Sequence, residues 1–329
     1  MATSKKPGAF VISLDFELYW GMFDKVTIEQ YGPNILGVRD ALPKMLALFE
    51  QYGLHATWAT VGMLAHSNKH ELEQSLPFDR PQYERPKLSS YKHLENGHVG
   101  ETEEDDPYHF GASLIEQILK APNQELASHT FSHYYAQEAG QTIDTFREDI
   151  RASKKVLEKF GVTPMSLVFP RNQFNDEYLA VVREEGLSSF RGNENHYLYF
   201  ARPENEQSLK IRGLRLLDHY LPLSGAHTYP FPAVAEKPYN LASSRFLRPY
   251  HPKLAFLDWL RILRVTRAMT KAAKRGEVFH LWWHPHNFGK YTKENLAVLE
   301  RIARHFQKLQ KKYGMQAMTM QEVSESIHG

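Results

Sequence analysis

The stretch Ala9-Phe10-Val11-Ile12-Ser13-Leu14-Asp15-Phe16-Glu17 decides how the rest of the chain is read. A nearly unbroken apolar run ends in two carboxylates. Such a run fits a strand buried on both faces of a parallel sheet. Asp15 and Glu17 lie two residues apart, so on a strand they share a face. No glycine-rich phosphate loop follows, as a dinucleotide-binding sheet would require. Outward from this strand, helix and strand patterns alternate. Val38 to Tyr52 reads as a helix with Leu42, Met45, Leu46 and Phe49 on one face and Gly53 as its stop. His55 to Val61 reads as a second strand, Glu125 to Ser128 as a third, and Thr142 to Phe160 as a strongly amphipathic helix. Strand patterns recur at Ser166 to Phe169, Ser188 to Phe190, Glu277 to Trp283 and Gln316 to Met318, with helices at 177–185, 254–274 and 291–312. Alternation of this kind implies parallel strands joined by crossover helices, in a (β/α) barrel or an open doubly wound sheet. Polar clusters end several different strands, which is the habit of barrel active sites and favours the barrel.

The 329 residues suit one large α/β domain, and no internal boundary or repeat divides them. We expect a single domain over 1–329, with an insertion at 66–110 and a loop-rich excursion at 220–275. A formal charge of +2 argues against a general nucleic-acid binder. The chain has no cysteine, so a metal must be held by histidine and carboxylate. The apolar run Ala9 to Leu14 is too short for a signal sequence, and no stretch is long enough to span a membrane. A cytoplasmic protein is the expectation.

Three clusters carry candidate chemistry. Ser128-His129-Thr130-Phe131-Ser132-His133 places two histidines four apart; if a helix begins here, they share a face and can hold one divalent metal. In a chain with 17 histidines such a pair also arises by accident. Asp15 and Glu17 at a strand end are costly unless paired, hydrogen-bonded or on a metal. A loop cap or a salt bridge would satisfy them as well. Together with two histidines, one carboxylate makes a common catalytic metal shell. The strand Phe279-His280-Leu281-Trp282-Trp283 ends at His284, placed to act as a general acid, with His286 competing for that role. Arg171, after Phe169-Pro170, would put a fixed positive charge at another strand end and could hold a carboxylate ionised, or form a plain ion pair.

The order and spacing of these clusters resemble the NodB-type polysaccharide deacetylases, carbohydrate esterase family 4. Asp15-Phe16-Glu17 resembles the family's first motif, with glutamate where a second aspartate is usual. His129-Thr130-Phe131-Ser132-His133 matches the second motif, and Leu281-Trp282-Trp283-His284 the last. Phe169-Pro170-Arg171 is similar to the third, with arginine after the proline. The fourth motif, an acid supporting the catalytic histidine, has no clear counterpart; Asp258 and Asp218 are the candidates. The resemblance implies a deformed (β/α) barrel of about seven parallel strands. It implies one divalent metal, zinc first, on Glu17, His129 and His133, with Asp15 as base, Arg171 holding it ionised, a backbone N–H near Asn172 on the oxyanion, and His284 as acid. The reverse assignment puts Asp15 on the metal.

The implied activity is hydrolysis of an N-acetyl or N-formyl group from an amino sugar. A cytoplasmic location points to a nucleotide-linked or lipid-linked intermediate of O-antigen, lipopolysaccharide or capsule biosynthesis. Two alternatives stand beside it: an allantoinase-like amidohydrolase acting on a small ureide or cyclic amide, and a non-catalytic glycan-binding protein on the same barrel. The second expects a lost base or histidine, and none is lost. Finally, Arg261, Arg264, Arg267, Lys271 and Lys274 form a stripe at helical spacing within 254–275. Such a stripe is either a solvated helix face or a peripheral contact with an anionic membrane at its inner side.

Overall fold

The computed structural model describes residues 6–201, 208–235 and 237–327. Strand β1 (Ala9–Phe16) is buried along its whole length and is the axis of the fold. It pairs in parallel with β8 (Val278–Trp283) on one edge. On the other, its first half meets β9 (Gln316–Met318) and its second half meets β2 (Ala56–Thr60). From β2 the sheet continues through β3 (Gln124–Ser128), β4 (Ser166–Leu167) and β5 (Ser189–Phe190) to β6 (Tyr239–Asn240). At the opposite end, β7 (Arg245–Phe246) pairs with β8. Every pairing between these strands is parallel, as the alternation requires, and the sheet has nine strands among the described residues, with β9 off the main path.

The two ends of that order are halves of one short segment. Leu241 N–H donates to the Phe190 carbonyl and Ser243 N–H to Gly192, while Ser244 N–H donates to His280 and Leu247 N–H to Trp282. Residues 239–247 therefore span from the β5 edge to the β8 edge and curl the sheet into a barrel without a direct strand pair at the seam. This segment lies inside the stretch expected to be loop-rich; runs of two residues carry too little periodicity to be read from sequence.

Eleven helices surround the sheet: α1 (Ile28–Leu36), α2 (Val38–Tyr52), α3 (Lys69–Gln74), α4 (Ser90–Glu95), α5 (Ala112–Lys120), α6 (Ile143–Glu158), α7 (Asp176–Glu184), α8 (Leu209–Asp218), α9 (Asp258–Arg275), α10 (Thr292–Tyr313) and α11 (Met320–Glu325), counted among the described residues. The stripe expected on α2 is buried, and Gly53 ends it in a left-handed conformation (φ 61°). Phe49 reaches Trp58 and Trp283, and Phe306 of α10 packs on Phe10. Thr319 and Glu322 form the capping box of α11. Helices α1 and α8 fall where no sustained pattern was read.

Helix α9 forms where expected but is turned about its axis. Arg261 and Arg264 are buried, while Phe256 just before the helix and Trp259 within it are exposed. The arginines point inward because acceptors await them there: Arg264 donates to Asp218 (2.9 Å) and to the Leu221 carbonyl, and Arg261 pairs with Asp258 (3.0 Å) and bonds the Arg248 carbonyl. A basic stripe read from spacing alone carries the right period and the wrong phase.

Candidate metal and catalytic site

The site gathers at the C-terminal mouth of the strands. Of the eight non-glycine residues with positive φ among the described residues, five lie here: Leu18, Thr130, His133, Arg171 and Asn172. Each such conformation costs about 1–3 kcal/mol and persists where the surroundings over-determine it. Leu18 (φ 46°) turns the chain immediately after β1, so that Glu17 follows Asp15 into the mouth.

His129 and His133 follow β3 in a loop. No helix begins there; Thr130 (φ 63°) and His133 (φ 57°) turn the backbone left-handed and bring both rings to one place. The helical expectation for this stretch is thereby corrected, although its consequence, a shared target, survives. Glu17 Oε2 lies 3.0 Å from His133 Nε2 and 3.5 Å from His129 Nε2. All three groups are buried, and their candidate ligand atoms lie within 4.8 Å of one another. His129 Nδ1 lies 2.8 Å from the Val168 carbonyl, an acceptor that requires the proton on Nδ1, and its Nε2 is turned toward Glu17. His129 Nε2 is buried with no hydrogen-bond partner. Burial also lowers His133 to about 4, so its imidazole is neutral near pH 7. Burial by itself would raise Glu17, but His284 and the two imidazoles outweigh it and hold the carboxyl well below its usual range. One carboxylate, two imidazoles and an orphaned inward nitrogen are the donor set a divalent transition metal takes.

The loop's anchor is Asp149 of α6. Its carboxylate accepts from Phe131 N–H (2.6 Å), Ser132 N–H (3.2 Å), the Ser132 hydroxyl and Tyr91 O–H (3.2 Å). The stretch 66–110 also supports the loop: Ser90 Oγ donates to the Ser132 carbonyl, and Tyr83 Oη accepts from Tyr135 N–H. Neither Asp149 nor this support was read from sequence. A charged residue on the buried face of an amphipathic helix was the available signal.

The arginine on Asp15 is Arg191, not Arg171. Arg191 Nη1 and Nη2 lie 2.5 Å and 2.8 Å from the two Asp15 oxygens, and the guanidinium is itself fully buried over the Trp282 ring, 4.1 Å from its centre. Burial would raise Asp15, and the Arg191 fork overcomes it and lowers its pKa. Arg171 is turned away by its left-handed backbone (φ 54°); it pairs with Asp24 and covers the Tyr135 ring. The oxyanion donor expected near Asn172 is also engaged elsewhere, since Asn172 N–H donates to the Phe169 carbonyl (2.9 Å). Asn172 instead accepts from Arg191 through its side chain (3.0 Å). Arg191 follows Phe190 directly after β5, and a charge closing a strand was the available signal, although Ser189–Phe190 is too short and too polar to resemble the run before Asp15.

His284 Nε2 stands 3.8 Å from Asp15 Oδ2 and 3.6 Å from Glu17 Oε1. His286 stacks behind it with ring centres 4.9 Å apart, and burial lowers it to about 3, which leaves it a neutral imidazole near pH 7 without the acidic proton of an imidazolium. The two acids considered as partners of His284 serve other groups. Asp218 binds Arg245 and Arg264, and Asp258 binds Arg261.

The sequence model of the polysaccharide deacetylase family matches residues 20–190, just over half of the chain. The chain belongs to the polysaccharide deacetylase family. That match begins after Asp15 and Glu17 and ends before His284, so the fold is what joins them to the two histidines. No curated protein sequence matches this deacetylase-family chain. Solved structures match its fold: a Mycobacterium smegmatis protein assigned as a polysaccharide deacetylase, 13% identical over 100% of this chain and 92% of its own, with a TM-score of 0.62, and one from Pseudomonas aeruginosa PAO1, 12% identical over 97% and 90%, with a TM-score of 0.55. The PuuE allantoinase matches with 12% identity over 97% and 89%, and a TM-score of 0.52. At such identities the likeness concerns the barrel alone.

Proposed function

We propose that this family member hydrolyses an N-acyl group, acetyl or formyl, from an amino sugar carried on a nucleotide or a lipid, as a cytoplasmic step in building a surface glycan. The observation that carries the reading is the meeting of Asp15, Glu17 and His284 with His129 and His133 at one mouth. Glu17, His129 and His133 would hold a divalent metal, with zinc the natural choice for this donor set. Such an ion supplies Lewis acidity to the amide carbonyl and the attacking water.

The remaining chemistry belongs to the chain's own residues. Arg191 keeps Asp15 ionised, so its free lone pairs can accept the proton of the water as it attacks. His284, on the other side of the same carboxylates, is placed to protonate the departing amine; without that proton the amine is a poor leaving group. Asp15 and Glu17 do not compete for one role, because Glu17 faces the two imidazoles and Asp15 faces Arg191. Retention of base, imidazoles and acid together speaks against a binding-only protein.

The space beside His284 favours a substrate larger than a ureide. A cavity of about 240 Å³ lined by His284, Trp282, Phe246, Asn172 and Glu194 shares Asn193, Glu194, Phe200 and Ala201 with a second one of about 740 Å³. Aromatic walls of this kind stack on sugar rings. The test is metal analysis of purified protein, then acetate and formate release from N-acylated nucleotide sugars, lipid-linked glycans and allantoin. Glu17→Ala should lose the metal, and Asp15→Asn should keep it and lose turnover. The reverse pattern exchanges the two roles. Turnover of allantoin with no release from any sugar replaces the deacylase reading with the ureide one.

A further inference from the structure

The turned helix α9 leaves a surface that the deacylase chemistry does not use. Phe256 and Trp259 are 70% and 61% exposed, and Leu217 in the last turn of α8 and Leu221 just after it are about half exposed. Between α9 and the turn that follows α8 lies a mainly apolar cavity of about 370 Å³, lined by Leu221, Leu260, Leu263 and Ala268 and edged by Arg267 and Lys271. Charge is segregated onto the same two segments. Residues 208–226 and 248–275 hold eleven lysines and arginines against two aspartates, a balance of +9 in a chain of +2. Both aspartates are already paired with arginines. Lys210, Arg212, Lys253 and Arg267 remain exposed.

We propose that this α8–α9 face docks the protein on an anionic lipid bilayer. Apolar and cationic groups on one surface match a bilayer interface, where aromatic rings settle at headgroup depth and lysine and arginine reach the phosphates. A second copy of the chain would bring a like-charged face and be repelled. The buried arginines are what make the face possible: by bonding Asp218 and the Leu221 and Arg248 carbonyls, Arg264 and Arg261 hold α9 with its aromatics outward. The face also adjoins the catalytic mouth. Arg215 of α8 lines the cavity that contains His284, while Leu216 and Leu217, its neighbours in the chain, are exposed. Docking would hold the mouth near the headgroup layer.

The experiment is vesicle flotation of the full chain at about 0.1 M salt, using phosphatidylcholine vesicles with and without roughly 30 mol% phosphatidylglycerol. The wild type should float with the anionic vesicles and stay down with the neutral ones. Phe256→Ser with Trp259→Ser should lower the partition coefficient about tenfold or more at an unchanged melting temperature, since both side chains are exposed. Arg267→Glu with Lys271→Glu should remove the preference for anionic lipid. A wild type that ignores anionic vesicles, or a serine variant that floats as well as the wild type, overturns the proposal. So does a soluble dimer that the serine variant splits, which would make the face a self-interface. No sugar is present in this assay, so its outcome leaves the deacylase reading where it stood.

Discussion

Asp149→Ala should damage both the fold and the metal site, although the carboxylate lies outside the donor set. It holds two backbone N–H groups, those of Phe131 and Ser132, at buried residues. An orphaned buried donor costs about 1–3 kcal/mol, so the pair predicts a loss of about 2–6 kcal/mol; the Ser132 and Tyr91 hydroxyls can rotate and add less. The loop so released carries both His129 and His133, and loosening a supporting shell lowers metal affinity about 10–100-fold. Asp149→Asn keeps the size and one acceptor oxygen and isolates the charge. Burial raises the Asp149 carboxyl from 3.8 to about 6, despite the four donors that oppose it. The folded state then binds the proton more readily than the unfolded one. Stability from this group is full below about pH 4 and falls by about 3 kcal/mol as pH rises through 6. The unfolding free energy of wild type minus that of Asp149→Asn, from urea titrations, should therefore fall by about 3 kcal/mol from about pH 4 to pH 7.5. Zinc affinity by competition with a chromophoric chelator gives the second readout. An alanine variant with wild-type urea midpoint and wild-type zinc affinity would refute the anchoring argument, and a pH-independent difference would refute the assignment of the buried charge.

Three further outcomes follow from the site. Arg191→Met strands Asp15 in a buried position; removing one member of a buried pair costs about 3–5 kcal/mol, and turnover should fall at least about 100-fold with metal retained, by chemical unfolding and metal analysis, whereas Arg171→Met should cost stability through Asp24 and leave turnover of the folded enzyme less affected, because its partner is not the proposed base. Gly21→Ala would put a methyl group where the Glu17 carboxylate lies; since that carboxylate is the end of a flexible side chain, metal stoichiometry should drop while the melting temperature moves little. Chelation should destabilise the protein by an amount that rises with the free zinc used as reference, about 1.4 kcal/mol per tenfold, and this increment should vanish in Glu17→Ala.

The sequence by itself determined the order of the parallel strands' chemistry. A buried apolar run ending in Asp15 and Glu17, a histidine pair after β3 and His284 after β8 are local patterns. In a parallel barrel every strand's C-terminal end opens on the same mouth, so local patterns suffice to name the participants. Which groups serve which depends on packing between segments remote in the chain. Arg191 and Arg171 both follow short strands, and the left-handed turn at Arg171 sends that guanidinium to Asp24. Asp149 is one acid among many on helix faces until the histidine loop folds onto it. Helix α9 shows the limit most clearly. Spacing sets which residues share a face, but the direction of that face depends on partners remote in the chain, here Asp218 and two backbone carbonyls that draw arginine inward and leave tryptophan outside.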